Sequence, residues 1–442
     1  MNKLLILFLM SVALSAHGQG SSTAMFHGCD DHCGNYSGGK GYKPLGDLKW
    51  KYTTSGKIFS SPAIAAGISY VGSEDGNLYA IDARSGKLMW KFKTGGAVHS
   101  SPAVYDNTVF FGSFDGYYYA VNATSGEEKW HVKTGGERCM GGKGYVGFQP
   151  ADHYHDDPWD FFLSSPVFKK TRGLLTVYFG SSDGNLYAVD ATNGTVLWKF
   201  RTGGSIHTTP LVEGNTVYIG SWDASLYAID TKTGVLRWKF DTGTKTGMTG
   251  IQGSPVVEGE LLYFGARDAK FYCLNAKTGK PVWVYDAEGS WVLSTPAVKD
   301  GVVYVGTSDT FLLLGLDALT GKEKMRFKTH GYVYGSPAIA GTTAYFGDFT
   351  GKFFALDLRS AGKVWSEFAT ESRLKNAQQI LNNDQLDFVK AAAGSDLSQY
   401  ANNVQVMEKF YRLGAIVSSA VVDRSILYFG CADGNLYAIG LE

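Results

Sequence analysis

Two sets of side chains in this sequence have types suited to chemistry. The first is contiguous: Asp152-His153-Tyr154-His155-Asp156-Asp157 puts two imidazoles and three carboxylates within six residues, the nitrogen and oxygen donors that divalent metals take. Side chains two apart share a face of an extended strand, so His153, His155 and Asp157 would point one way and form a metal site. Against that reading, Pro158 follows at once and no cysteine or third histidine is close in sequence, as a closed zinc site would need. The same stretch, with Gly135, Gly136, Gly141, Gly142, Gly144 and Gly147 before it, also reads as a mobile cap, because ordering each flexible residue costs roughly 1–2 kcal/mol. The second set is scattered: His99, His207, Trp222, Gln252, Arg267, Trp291 and Tyr334. Brought to one point, an arginine, a glutamine, two histidines and several aromatic rings would suit a planar anionic or sugar-like ligand, or a protein segment.

What would bring them together is an internal repeat. The first copy runs Ser60-Ser61-Pro62, Tyr70-Val71-Gly72-Ser73, Asp75-Gly76-Asn77-Leu78-Tyr79-Ala80-Ile81-Asp82, then Gly86 and Trp90-Lys91-Phe92. Proline recurs at 62, 102, 166, 210, 255, 296 and 337, with Ala420 in the equivalent place of an eighth copy. Five of the seven intervals lie between 40 and 45 residues, while those of 64 and 83 contain the unit plus insertions. Each unit carries four strand signals joined by tight turns such as Asp183-Gly184 and Asn193-Gly194, the mark of a β-propeller. The eighth copy ends after its third strand, and Asp47-Leu48-Lys49-Trp50-Lys51-Tyr52 is a fourth strand with no blade before it. Pairing the two closes the ring and hides a sheet edge. The expected fold is therefore all-β: an eight-bladed propeller of four-stranded blades over residues 45–442, closed by the N-terminal strand.

The regular features are read as structural. Trp50, Trp90, Trp130, Trp198, Trp238, Trp283 and Trp365, with Met325 in the sixth blade, occupy the fourth-strand position and should pack between blades. The repeated aspartates, from Asp75 to Asp433, should bond their own turn backbone. The irregular features carry the functional expectation. Strand parity puts the Asp-Gly turns and the links between blades on one face, including insertions at 133–163 and 367–416. Elaborations gathered on one face of a regular scaffold present a site there. The residues just before the Ser-Pro step (His99, His207, Gln252 and Tyr334 among them) and those before the turn aspartate (Trp222, Arg267) should line the funnel on that face. The later insertion carries apolar residues at helical spacing, Leu374, Ala377, Ile380 and Leu381, then Val404, Met407, Phe410 and Tyr411, expected as two amphipathic helices that pack on the propeller or dock an envelope protein.

The repeat Tyr-Val-Gly-Ser-x-Asp-Gly-x-Leu-Tyr-Ala-x-Asp, followed by Gly and Trp, resembles the pyrroloquinoline-quinone-type propeller repeat over nearly all of 45–442. That family includes quinoprotein alcohol dehydrogenases and the propeller subunit of the outer-membrane barrel-assembly machinery. The resemblance implies, for the dehydrogenases, a quinone in the funnel with Ca²⁺, a catalytic aspartate and a disulfide of adjacent cysteines. This chain has no adjacent cysteines and no evident calcium constellation, which favours an exported binding propeller with no assigned cofactor. A quinone- or metal-dependent oxidoreductase and a cell-envelope assembly scaffold are the alternatives.

Composition narrows the remaining choices. Lys plus Arg and Asp plus Glu both total 41, so no basic excess points to nucleic acid. Lys3 followed by the apolar run Leu4 to Ala16 reads as a signal peptide over residues 1–18, too short for a membrane span, followed by an extension over 19–44. The expected location is therefore periplasmic or extracellular. Of the five cysteines, Cys29 and Cys33 lack the spacing of haem attachment and can form a local disulfide or remain free thiols.

Overall fold

In the computed structural model the described residues are 23–28, 34–36, 44–171, 173–243, 249–360 and 362–442. The expected signal segment, Cys29, Cys33 and part of the link after the fourth blade lie outside them. The described chain is an eight-bladed propeller of antiparallel blades. Blade 1 shows the plan: Ala63–Ala65, Ile68–Gly72, Asn77–Asp82 and Leu88–Lys93 run from the central channel outward. In blade 8 the outer strand is Leu45–Thr53, paired antiparallel with Asn435–Leu441 so that Trp50 lies opposite Ala438. The ring closes as the repeat arithmetic predicts.

Three repeated interactions make the blades and hold them together. The turn aspartate accepts from the backbone two residues on and from the tyrosine four residues on, as Asp75 does from Asn77 N (3.1 Å) and Tyr79 Oη (2.7 Å). Its second oxygen also takes an N–H from the preceding link, Ser55 N at 3.0 Å. One carboxylate thus shapes a turn and ties it to the neighbouring blade. Six of the seven fourth-strand tryptophans, all but Trp365, dock on the glycine turn of the next blade. Trp50 Nε1 donates to Ala83 O at 3.1 Å, and a side chain at Gly86 (φ +70°) would meet the indole at 2.7 Å, so glycine is required twice over there. The same indole-to-carbonyl bond recurs from Trp90, Trp130, Trp198, Trp238 and Trp283.

The third interaction lines the channel. The residue before each repeat proline, or before Ala420 in blade 8, carries a hydroxyl, and at seven of the eight blade junctions the backbone N–H at that position donates to the hydroxyl of the next blade. Ser61 donates to Ser101, Ser101 to Ser165, Ser165 to Thr209 and Thr209 to Ser254. Thr295 donates to Ser336, Ser336 to Ser419, and Ser419 back to Ser61 at 2.9 Å. The donors and acceptors are buried, where an unmade hydrogen bond costs about 1–3 kcal/mol.

Two further features bear on the channel. Thr23–Ala24 adds antiparallel to the inner strand of blade 2, and Asn35–Tyr36 adds parallel to the inner strand of blade 7. Between them Phe26 enters the channel and His27 donates Nε2–H to Pro337 O at 2.9 Å. The N-terminal segment therefore rises into the lower mouth and leaves by it. The later insertion folds as three helices, α1 (Glu371–Ile380), α2 (Phe388–Ala391) and α3 (Tyr400–Tyr411), with a short hairpin of Leu381–Asn382 and Gln385–Leu386. Two helices were expected; Asn383 and Asp384, both with positive φ, break the first apolar stretch into a turn.

If the closing strand is essential, a chain starting at residue 56 should lose its single cooperative thermal transition. A sharp melt near the full-length Tm in that deletion would count against closure by Leu45–Thr53.

Candidate functional site

The eight residues preceding the Ser-Pro steps do converge. Phe59, His99, Leu163, His207, Gln252, Leu293, Tyr334 and Val417 ring one end of the central channel, around a cavity of about 40 Å³. Trp222, Arg267 and Trp291 stand beside this ring, with the Arg267 guanidinium between the two indoles at 4.6 and 4.2 Å. The sequence-derived ligand set is therefore one neighbourhood. It is not an open one. Arg267, His207, Gln252, Trp222 and Tyr334 are all buried, and what buries them is the first insertion.

That insertion begins with Glu137, whose carboxylate accepts from Thr134 Oγ1, Ser181 Oγ and Ser182 N. A hairpin of Gly141–Lys143 and Tyr154–Asp156 follows. The chain then turns down into the funnel. Asp157 pairs with Arg267 Nη1, and its oxygens also accept from Tyr145 Oη (2.9 Å) and Trp159 N (2.9 Å). Arg267 Nε donates to Gln252 Oε1 at 2.5 Å. Asp160 accepts from Gln252 Nε2 at 2.8 Å, from His207 Nδ1 at 2.9 Å and from Met140 N at 2.6 Å. All four ionisable side chains, Asp157, Arg267, Asp160 and His207, are 0 % exposed. Rather than lying over the rim as a mobile cap, residues 157–163 are built into the funnel.

The protonation states follow from these partners. Burial alone would lower the His207 pKa, but the Asp160 carboxylate outweighs it and the value is raised above 6.5. As an imidazolium, His207 donates Nδ1–H to Asp160 and Nε2–H to Ser182 Oγ (2.9 Å), whose own proton goes to Arg138 O at 3.0 Å. Trp222 Nε1 lies 3.1 Å from the same Nδ1, but only the carboxylate can accept its proton. His99 is the opposite case, because burial lowers its pKa. Phe161 O sits 2.7 Å from its Nδ1; a carbonyl only accepts, so Nδ1 carries the proton. Nε2 is then a bare acceptor, buried and without a protein partner.

Above this network the two insertions share an apolar layer. Phe161 stacks on Phe59 at 5.0 Å and approaches Tyr334, Phe349 and Tyr411. Phe410, Met407 and Val406 of α3 join the same buried cluster. The insertions also touch directly, through Gln149 N to Ser398 O at 2.8 Å and Phe148 against Tyr400. The later insertion thus packs on the propeller with its buried side, and leaves Leu374 (74 % exposed) and Val389 (81 %) in solvent.

The metal set behaves differently. His153 is exposed, His155 is buried with Nε2 2.9 Å from Pro150 O, and Asp157 is committed to Arg267. Among the described residues no three His, Cys, Asp or Glu side chains form a cluster able to hold a metal. Sequence reasoning missed Glu137, Tyr145, Asp160 and Phe161. For Asp160 and Phe161 the one sequence signal was position: Asp160-Phe161-Phe162-Leu163 runs directly into the Ser164-Ser165-Pro166 step of blade 3.

Two measurements test this network. Asp157→Asn leaves a guanidinium buried against an amide and should lower stability by up to about 3–5 kcal/mol; adding Arg267→Met should recover part of that loss in chemical denaturation. Because the folded His207 pKa is raised, its contribution is full below pH 6.5 and is lost as pH rises through the raised value. Wild type should therefore lose stability relative to His207→Gln between neutral and alkaline pH, and parallel curves would disprove the His207–Asp160 charge pair.

The comparisons with known proteins agree with this architecture. The family model described as outer membrane protein assembly factor BamB matches residues 42–145, 171–267 and 244–442. Among solved structures, BamB of Moraxella catarrhalis superposes with a TM-score of 0.64 at 16% identity, covering 90% of this chain and 100% of that one. The quinohemoprotein alcohol dehydrogenase of Comamonas testosteroni gives 0.68 at 14%, covering 94% and 80%. A europium-containing methanol dehydrogenase gives 0.67 at 14%, covering 95% and 98%. At such identities these superpositions show the fold alone. No curated protein sequence matches the chain. The family model spans most of the propeller, and the chain belongs to the family described as outer membrane protein assembly factor BamB.

Proposed function

We propose that this chain is an exported, protein-binding propeller that acts as a scaffold in the cell envelope, using the face formed by the links and the two insertions. One observation carries the choice between binder and quinone enzyme: the funnel is filled by the chain itself. The cavity left on the axis is about 40 Å³, whereas small-molecule and cofactor pockets occupy roughly 300–1,000 Å³. A planar quinone would have to displace Asp157, Asp160 and Phe161, and the arginine that would receive its carboxylate already holds one. The residues present do not fit that group in this arrangement.

The family description, outer membrane protein assembly factor, and the N-terminal apolar run support an envelope location. No helix among the described residues is long and apolar enough to cross a membrane. The surface offered to a partner is the outer side of the helical insertion, where Leu374 and Val389 are exposed beside polar neighbours. Isolated exposed apolar side chains are ordinary. Here they sit on an insertion that the repeat does not need, on the face where the other insertion also lies.

The test has two arms. Titration of the purified protein with pyrroloquinoline quinone and Ca²⁺ should give no saturable binding. A photo-crosslinking residue at position 374 or 389, in cells, should give one discrete cross-linked envelope protein, absent from position 197 on an outer strand. Saturable quinone binding that Arg267→Ala abolishes would overturn the choice in favour of a dehydrogenase.

A further inference from the structure

We infer that the funnel is a receptor for an acidic, aromatic peptide, and that residues 155–162 occupy it as an internal copy of that ligand. This rests on the protein-binding reading of the same face and names the chemistry of what it binds. The receptor side belongs to the propeller. Arg267 is held between Trp222 and Trp291, its Nε is fixed by Gln252, and its Nη2 is buried without a hydrogen-bond partner. A guanidinium stacked between two rings with one donor to spare is a preorganised carboxylate site. Beside it, Gln252 Nε2 and His207 Nδ1 converge on a second carboxylate position.

The ligand side belongs to the insertion. Asp157 and Asp160 fill the two carboxylate positions from one short stretch. Trp159 lies edge-on to Trp291 at 5.9 Å, and Phe161 stacks on Phe59 at 5.0 Å. The pattern is two acids three residues apart, with an aromatic residue after Pro158 and another after Asp160. In the stretch leading into it, Pro150 to His153 are exposed, while Tyr145 and Phe148 are buried and Gly141–Lys143 pairs with Tyr154–Asp156. The segment that enters the funnel hangs from this folded hairpin.

A tethered ligand competes at an effective concentration of about millimolar or more. An external peptide should therefore bind the wild-type protein poorly, and bind well once the internal segment has lost its two charges. The experiment uses the full chain and a fluorescein-labelled peptide of residues 155–162, His-Asp-Asp-Pro-Trp-Asp-Phe-Phe. By anisotropy it should bind Asp157→Asn/Asp160→Asn at least tenfold more tightly than wild type. Adding Arg267→Ala to that variant, or putting Asp157→Asn and Asp160→Asn into the peptide, should abolish the gain. Equal affinity for wild type and a folded double variant would overturn the inference. Should the double variant not fold, hydrogen exchange of wild type decides: millimolar peptide should speed exchange across 155–162, and unchanged exchange overturns the inference. Failure here with the position 374 or 389 cross-link intact would remove the peptide receptor and leave the scaffold reading standing.

Discussion

Everything on the axis of this molecule depends on seven hydrogen bonds from backbone N–H to side-chain hydroxyl, which join all but one of the neighbouring blade pairs. At seven of the eight blade junctions a hydroxyl beside the inner strand serves the blade before it, and Ser419 returns the series to Ser61. A blade of four short strands has two edges and faces that it cannot bury alone. The hydroxyl series and the tryptophan-on-glycine joints give each blade its neighbour as a partner. They also fix the position of the residue two steps before the hydroxyl. His99, His207, Gln252 and Tyr334 converge because the bonds beneath them set the blades at a constant distance.

On that ring the chain has assembled a dense buried charge network. Four ionisable groups without solvent exposure are tolerable only because each is paired and further hydrogen-bonded. Asp160 alone accepts from three donors. Such a network discriminates strongly: a segment that lacked either carboxylate would leave a buried cation unsatisfied. The same physics makes the insertion specific for the funnel and makes the funnel a poor place for an unrelated small molecule while the insertion is seated.

The repeat made the ring legible in the sequence because its period, its turn residues and its tryptophans are local signals repeated along the chain. It also made the ring-lining set legible, since position within the unit is enough to place His207 or Arg267 at the funnel. Whether those residues meet solvent was not legible. Their partners, Asp157 and Asp160, sit in an insertion with no period, and the pairing Arg267 with Asp157 spans 110 positions. The expected metal triad failed to converge for a related reason. Alternation describes a strand, but the strand ends at Asp156, and His153 stays in solvent while Asp157 turns inward to Arg267. The N-terminal crossing of the lower channel mouth was also invisible, because Thr23–Ala24 and Asn35–Tyr36 are two residues each, too short for any pattern.

The closure of blade 8 has a consequence in time. Leu45–Thr53 is made before any of the blades, but its partner Asn435–Leu441 only after seven of them. Until then the first strand of the ring is an unpaired edge, and Trp50, which docks on the glycine turn of blade 1, belongs to a strand with no sheet to hold it. Contacts this distant in sequence form slowly and expose edges that aggregate. The N-terminal segment that fills the lower mouth cannot be placed earlier either, since one of its two strand partners, Ala338–Ala340, lies in blade 7. The segments around Asn35–Tyr36 and Leu45–Thr53 are therefore made before the blades and positioned after them, and a chain released before Asn435–Leu441 holds an open arc of blades with no axis to enclose.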